Sequence, residues 1–227
     1  MANQVQLNLH CCHQQLLLVL QVGATNYHFQ TEQAKGMAEI LLPQLTDLLR
    51  RAKISLAEID TLCFSNGPGG FSGIRIAVCL AQALSFSKQI ALYPLSSLAI
   101  LAHSFAADNQ SDNIQLQILV DAKMRELYTA SFFINKQKVL RETDDMLIAI
   151  EQVKPNSELT YIGDGCQLVT GLTTIQQSDN AVTVDGLNAA AKQQMVDSKP
   201  MTWQQIKPLY LRKQNAWVSN QRVIINE

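Results

Sequence analysis

Positive charge is missing from the start of this chain. No Lys or Arg precedes Lys35, so the opening residues lack the basic region that begins a secretory signal. Apolar runs are short, and none nears the roughly 18 residues that mark a membrane-crossing helix. The expected compartment is therefore the cytosol. Charge of either sign is sparse, at 16% of residues, and 18 Lys and Arg against 19 Asp and Glu give a net charge of −1. A chain without basic excess lacks the main driving force for binding RNA by itself, so RNA contact is expected to be shared with a partner. The four histidines (His10, His13, His28 and His103) form neither an H-x-x-x-H pair nor an H-E-x-x-H motif, which argues against a zinc peptidase. Five cysteines, Cys11, Cys12, Cys63, Cys79 and Cys166, are odd in number and mostly lie in apolar segments; reduced core thiols fit better than a disulfide framework.

What is present is core: 47% of 227 residues are hydrophobic, enough for one large domain or two small ones. Alternation at Val5, Leu7, Leu9 and Cys11, the run Leu16 to Leu20, and Thr25 to Gln30 predict a three-strand meander. Ala38, Leu41, Leu42, Leu45, Leu48, Leu49 and Ala52 recur at helical steps, with Pro43 expected to kink the helix or mark the start of its regular part. Ser55 to Glu58 reads as a capping box opening a short helix. A strand at Thr61 to Ser65, a helix at Gly73 to Phe86, a strand at Ile90 to Leu92 and a helix capped by Ser96 or Ser97 follow. Polar residues Asp108 to Asn113 mark the best lobe boundary. Beyond it come strands at Leu116 to Val120, Leu127 to Phe133 and Lys138 to Arg141, a helix near Asp145 to Gln152, a strand at Leu159 to Ile162 and a helix at Leu187 to Val196. The residues alone establish a mixed α/β protein.

Between the strand ending at Ser65 and the next helix stands Gly67-Pro68-Gly69-Gly70-Phe71-Ser72-Gly73-Ile74-Arg75. Glycines let a main chain or an anion come close, and a helix N-terminus downstream presents unpaired N–H groups, so Gly67, Gly69, Gly70, Ser72 and Gly73 form a candidate anion or nucleotide loop. No Lys-Ser or Lys-Thr closes it as in a Walker A loop, and the third glycine falls one residue late for the dinucleotide fingerprint. The competing reading is a tight strand-to-helix turn with Ser72 as N-cap.

The run Ile59 to Leu98, with Asn66 to Arg75 and Pro94-Leu95-Ser96-Ser97-Leu98 inside it, closely resembles the bacterial TsaB (YeaZ) family. Val120 to Tyr128, and Pro208 to Arg212 with Ala216-Trp217, resemble two further signatures, so the likeness covers most of the chain from about residue 55 onward. The resemblance implies an actin-like fold, shared with Hsp70-like ATPases and sugar kinases: two related lobes, each a mixed sheet with flanking helices. Residues 1–107 are expected to form the N-terminal lobe, joined by the tail 206–227, and 108–205 the C-terminal lobe. It implies a non-catalytic subunit that pairs with the homologous transferase TsaD and the ATPase TsaE. That complex moves threonylcarbamoyl from its AMP adduct to N6 of the adenosine 3′ to the anticodon, in tRNAs reading codons that begin with A. It also implies a homodimer when the chain is alone, no catalytic residue and no cofactor of its own, with ATP or ADP only in the assembled complex. Family members carry Asp-Thr-Ser where this chain has His10-Cys11-Cys12, so a carboxylate that would help hold Mg²⁺ is absent.

The helix Gly73 to Phe86 carries the best partner signal, because Gln82 is its only strongly polar side chain between Ile76 and Leu84. A helix apolar all round is buried on both sides, either by another element of the chain or by another subunit. With the preceding Leu-rich helix, which the family also uses to meet TsaD, it supplies the candidate partner residues Leu41, Leu45, Leu48, Leu49, Arg75, Val78, Cys79, Gln82 and Phe86. Arg75 could clamp an anion or pair across the interface; pairing is favoured. His10-Cys11-Cys12-His13 invites a zinc reading, but on a strand residues 10 and 12 face away from 11 and 13, so no metal site is expected. Asp121, Arg125 and Glu126 read as a strand-turn salt bridge rather than an acid–base cluster. From Lys199 onward Lys199, Lys207, Arg212, Lys213 and Arg222 face a single acid, Glu227. Lys207, Arg212, Lys213 and Arg222 are the candidate tRNA contacts; a solvated basic surface, or Arg212 anchoring the tail, are the competing readings. The functional alternative is a stand-alone actin-fold ATPase or phosphotransferase.

Overall fold

Leu16 to Leu20 form an unbroken apolar run because their strand is covered on both faces. Leu16, Leu18 and Leu20 pack into one core, while Leu17 and Val19 pack into another on the opposite side of the same sheet. The computed structural model of the chain describes residues 4–32, 36–109, 112–177 and 181–212. The first sheet opens with the antiparallel meander β1 (Val5–Cys12), β2 (Gln15–Val22) and β3 (Thr25–Thr31). Then α1 (Met37–Ala52), β4 (Thr61–Gly67), α2 (Phe71–Lys88), β5 (Ala91–Ser96) and α3 (Ser97–Asp108) follow. Both later strands join in parallel, giving the order β3-β2-β1-β4-β5.

The second sheet repeats this plan. β6 (Ile114–Lys123), β7 (Glu126–Asn135) and β8 (Lys138–Arg141) form an antiparallel meander. After β9 (Met146–Ala149), β10 (Thr160–Ile162) pairs in parallel with β6 and β11 (Ile175–Gln177) pairs in parallel with β10. Its path β8-β7-β6-β10-β11 matches that of the first sheet strand for strand. α4 (Val184–Asp197) closes the described helices. The chain is thus an actin-like α/β protein with two mixed sheets related by repetition.

The layers follow from side-chain pattern. α1 and α2 cover the outer face of the first sheet, where Leu7, Leu9, Leu62 and Phe64 meet Leu41, Leu45, Ile74 and Ala77. α3 and α4 fill the space between the sheets, against Leu17, Val19 and Cys63 on one side and Ile118, Ala130 and Phe132 on the other. α3 is apolar on every side, with Leu98, Ile100, Leu101, Ala102, Phe105 and Ala106 all buried, as a helix between two sheets must be. Polar residues on the inner face of β1 are also covered: Asn8 donates to Asn188 Oδ1 of α4 at 2.7 Å, and Gln6 donates to Asn8 Oδ1 at 2.8 Å.

Three expectations need correction. The segment 145–152 is not a helix: Met146, Leu147 and Ile148 pair with the half of β7 that β8 leaves open, and only Ile150–Gln152 coils, as one 3₁₀ turn. Consecutive apolar residues beside an open strand gain hydrogen bonds there that an isolated turn would not supply. Pro43 does not open α1, which begins at Met37, and α2 begins at Phe71, with Gly70 in the N-cap position and Ser72 already inside the helix. The capping box at Ser55, by contrast, is present, with Ser55 N donating to Glu58 Oε2 at 2.7 Å.

Candidate partner-binding face and glycine loop

The glycines of the loop are explained by the chain's own packing. Gly67 has φ +121°, and a Cβ there would stand 2.7 Å from the Leu209 carbonyl oxygen. A Cβ at Gly73 would collide with the carbonyl oxygen of Cys11. Glycine therefore lets the loop seat between the end of β1 and the C-terminal segment. Gly69 lies against Cys12 and His13, whereas nothing stands near Gly70. The peptide bond between Gly67 and Pro68 is cis, and Ser97 Oγ donates to the Pro68 carbonyl.

Beside the loop, the β1–β2 hairpin turns on His13 and Gln14, both with left-handed backbone (φ 51° and 67°). That turn brings the His13 ring to 6.1 Å from His10, although simple strand alternation sets the two on opposite faces. Both rings are buried, and among the described residues neither nitrogen of His10 nor Nε2 of His13 has a hydrogen-bond partner within bonding geometry. Burial, reinforced by the neighbouring His13, lowers the His10 pKa to about 3, and burial lowers that of His13 to about 4. The same cause pushes the thiols of Cys11, Cys12, Cys63 and Cys166 up to about 12, so they are inert packing groups. Among the described residues no three His, Cys, Asp or Glu side chains gather as metal ligands. All five cysteines are unpaired, and Cys79 alone is exposed.

The candidate partner residues divide sharply. Leu41, Leu45, Leu48 and Val78 are buried in the first core, which puts them out of a partner's reach; they face inward because the helical stripe packs on its own sheet. Leu49 and Gln82 are half-buried, while Arg75 and Cys79 are exposed and Phe86 is 70% exposed. α2 is covered in part by the C-terminal segment. Met201 N donates to Leu92 O at 2.8 Å, Ile206 enters the core, and Gln82 Nε2 donates to Ile206 O at 3.1 Å. Two aromatic contacts line the margin. Phe86 meets Trp203 edge to face at 5.3 Å, and Phe71 stacks on Tyr210 at 5.4 Å. Arg75 belongs to the second: its guanidinium lies 3.4 Å from the Phe71 ring centre and its Nε donates to Tyr210 Oη at 2.9 Å. Phe71 (54% exposed), Trp203 and Tyr210 are thus surface residues that helix periodicity did not single out, while Leu42, which it did include, faces solvent. The two aromatics of the tail were the available signal.

Of the candidate RNA contacts, Lys207 is exposed, and Lys213 and Arg222 lie outside the described residues. Arg212 is an anchor: it pairs with Glu126 and donates to Ala122 O at 3.1 Å and Lys123 O at 3.2 Å. Asp121, Arg125 and Glu126 do not form one cluster, since they pair separately with Lys123, Glu151 and Arg212. The tail thereby ties the first sheet, through Leu209 N to Asn66 O at 2.8 Å, to the β6–β7 hairpin of the second.

This arrangement defines a two-lobed actin-like protein whose glycine loop packs on its own chain at Gly67, Gly69 and Gly73 and whose outer helix keeps aromatic side chains in solvent. Residues 30–198 match the model of the family described as TsaD, tRNA N6-adenosine threonylcarbamoyltransferase. The chain belongs to that family and, within it, to the TsaB (YeaZ) proteins. The tRNA threonylcarbamoyladenosine biosynthesis protein TsaB of Escherichia coli is 27% identical over 207 residues, covering 86% of this chain and 88% of that protein. TsaB of Buchnera aphidicola subsp. Schizaphis graminum is 33% identical over 131 residues, 55% of this chain, and the alignment spans only 61% of that relative's length. The solved structure of YeaZ from Pseudomonas aeruginosa superposes with a TM-score of 0.81 at 23% identity, over 92% of this chain and all of that one. No helix among the described residues is long and apolar enough to cross a membrane.

Proposed function

We propose that this chain is a non-catalytic, cytoplasmic subunit in tRNA threonylcarbamoyladenosine biosynthesis, docking on the transferase TsaD through the outer face of α2 and working with TsaE. The pathway is supported by the role printed in the names of its relatives. The docking mode is supported by one observation above others: Phe71 and Phe86 remain 54% and 70% exposed on a helix that buries Ile74, Ala77, Val78, Leu80, Ala81 and Leu84 in the core. Large aromatic side chains held in place by neighbours are the usual anchors of interfaces. In this reading the same face closes a homodimer when TsaD is absent, the partner supplies the catalytic groups, and ATP or ADP binds only in the assembled complex. tRNA is held chiefly by the partner, with Lys207, Lys213 and Arg222 as the auxiliary contacts, because Arg212 is already engaged.

Cys79 lies between the two aromatic pairs, on the exposed side of α2. In the assembly a Cys79→Arg charge would be desolvated without a partner, at a cost of about 2–5 kcal/mol. Size-exclusion chromatography with TsaD should show the complex lost or weakened at least tenfold, while circular dichroism of the free variant stays unchanged. Cells depending on that variant should show reduced threonylcarbamoyladenosine by mass spectrometry of tRNA nucleosides. Full complex formation by Cys79→Arg would refute the docking face, and unaltered tRNA modification on depletion of the protein would refute the pathway.

A further inference from the structure

A cavity of about 220 Å³ lies on the opposite side of the first sheet from α2. One wall is the end of β5 and the first turns of α3, a second is β7 with β8, and the third is the end of α4. Helical spacing puts Ser96, Ala99 and His103 on one face, and Ala190, Gln193 and Asp197 on the face opposite. The volume falls below the roughly 300–1,000 Å³ of pockets for drug-sized ligands, so only a compact molecule fits.

Three polar groups keep unused bonding capacity here. His103 is 8% exposed, lines the cavity, and has no hydrogen-bond partner among the described residues. Burial lowers its pKa to about 4 against the opposing influence of Asp197, so the ring is a neutral acceptor and donor. Arg141 bonds through Nη1 alone, to Asp145 Oδ1 at 2.9 Å and Thr143 O at 3.4 Å, and its guanidinium lies 5.1 Å from the Phe132 ring centre. Its Nε and Nη2, the fork that grips a carboxylate in a two-point bond, are unused among the described residues. Asp197 accepts from Gln193 through Oδ2 at 2.8 Å, leaving Oδ1. With Asp145 and Asp197 set against Arg141, a simple anion meets net negative charge and a simple cation meets the guanidinium. A molecule carrying both signs meets complementary groups at each end, while Leu95, Phe132 and Val139 offer apolar surface between them.

We propose that this cavity binds a small α-amino acid, its carboxylate on the Nε–Nη2 fork of Arg141 and its ammonium between Asp197 and the His103 imidazole. The site is independent of the α2 face and of any role in tRNA modification. The test is NMR titration of the full-length, isotope-labelled chain with the twenty proteinogenic amino acids in turn. At least one small amino acid should give saturable shifts at Ser96, His103 and Asp197, with a dissociation constant on the order of 0.1–1 mM. Arg141→Gln and Asp197→Asn should each weaken it tenfold or more, and the acid lacking the amino group should bind the native chain tenfold less well, with no further loss in Asp197→Asn. Because the wild-type shift map needs no variant, it stands even if a substitution unfolds the protein. Absence of saturation up to about 20 mM of every amino acid, or shifts confined elsewhere, overturns the proposal. Equal binding of the amine-free acid overturns the zwitterion as ligand.

Discussion

His10 is a buried base whose two ring nitrogens find no hydrogen-bond partner among the described residues, and its replacement by leucine tests what that costs. Burial lowers its folded-state pKa from 6.5 to about 3, so on acidification the unfolded chain takes up the proton first. Stability is therefore full above about pH 6.5 and falls as pH drops toward the folded value, by about 1.4 kcal/mol per pH unit for each such histidine. Between pH 6.5 and 4.5 that is about 2–3 kcal/mol for His10, and His13, lowered to about 4 by the same cause, contributes similarly. The sum of about 5 kcal/mol is a large part of the 5–15 kcal/mol typical of a domain. Leucine, close to histidine in volume, removes one titration and two orphaned nitrogens, so at pH 7 His10→Leu should match or exceed the native stability, by up to about 2 kcal/mol. At pH 4.5 it should retain about 2–3 kcal/mol that the native chain has lost, roughly a 1 M difference in urea midpoint. Urea unfolding followed by circular dichroism at half-unit pH steps measures both. Parallel curves for the two proteins, or a loss above about 2 kcal/mol at pH 7, would refute the neutral, unpartnered imidazole.

Three further outcomes follow from the loop and the tail. Gly73→Ala sets a Cβ against the Cys11 carbonyl and should cost about 2–4 kcal/mol in thermal or urea unfolding, whereas Gly70→Ala, which meets nothing, should change stability by under about 1 kcal/mol. Arg212→Gln breaks the pair with Glu126 and the bonds to the β6–β7 hairpin, so it should lower the melting temperature, a loss of about 1–3 kcal/mol. The salt dependence of tRNA binding by the assembled complex should not change; a fall of one unit in its log–log slope would restore Arg212 as a phosphate contact. Isothermal calorimetry of the isolated chain with Mg-ATP should show no saturable heat up to about 1 mM, because Leu209, Cys12 and His13 already occupy the sides of the glycine loop. A micromolar dissociation constant would favour the stand-alone ATPase.

Local pattern determined most of the elements. The meander of β1 to β3, the apolar period of α1, the Ser55 capping box, the Ser96 cap of α3 and α4 all follow from side-chain period and cap chemistry, which act within a few residues. Ordered motifs from residue 55 onward carried the family and, through it, the two-lobed fold. What the sequence could not decide was which partner each surface would meet. Leu41, Leu45, Leu48 and Val78 share the apolar character of an interface, yet they face the sheet, because a helix on a sheet buries its strongest stripe internally first. Met146 to Ile148 became a strand only because β8 left half of β7 unpaired. The loop glycines serve neighbours distant in sequence, Leu209 and Cys11, and His10 is fully buried in the fold although its strand pattern does not specify what covers it. Sequence left Arg212 open between an RNA contact and an anchor of the tail, and the fold decided it by bringing Glu126 to it across 86 residues. Period and propensity are local quantities, whereas burial and pairing depend on every segment that arrives from elsewhere in the chain.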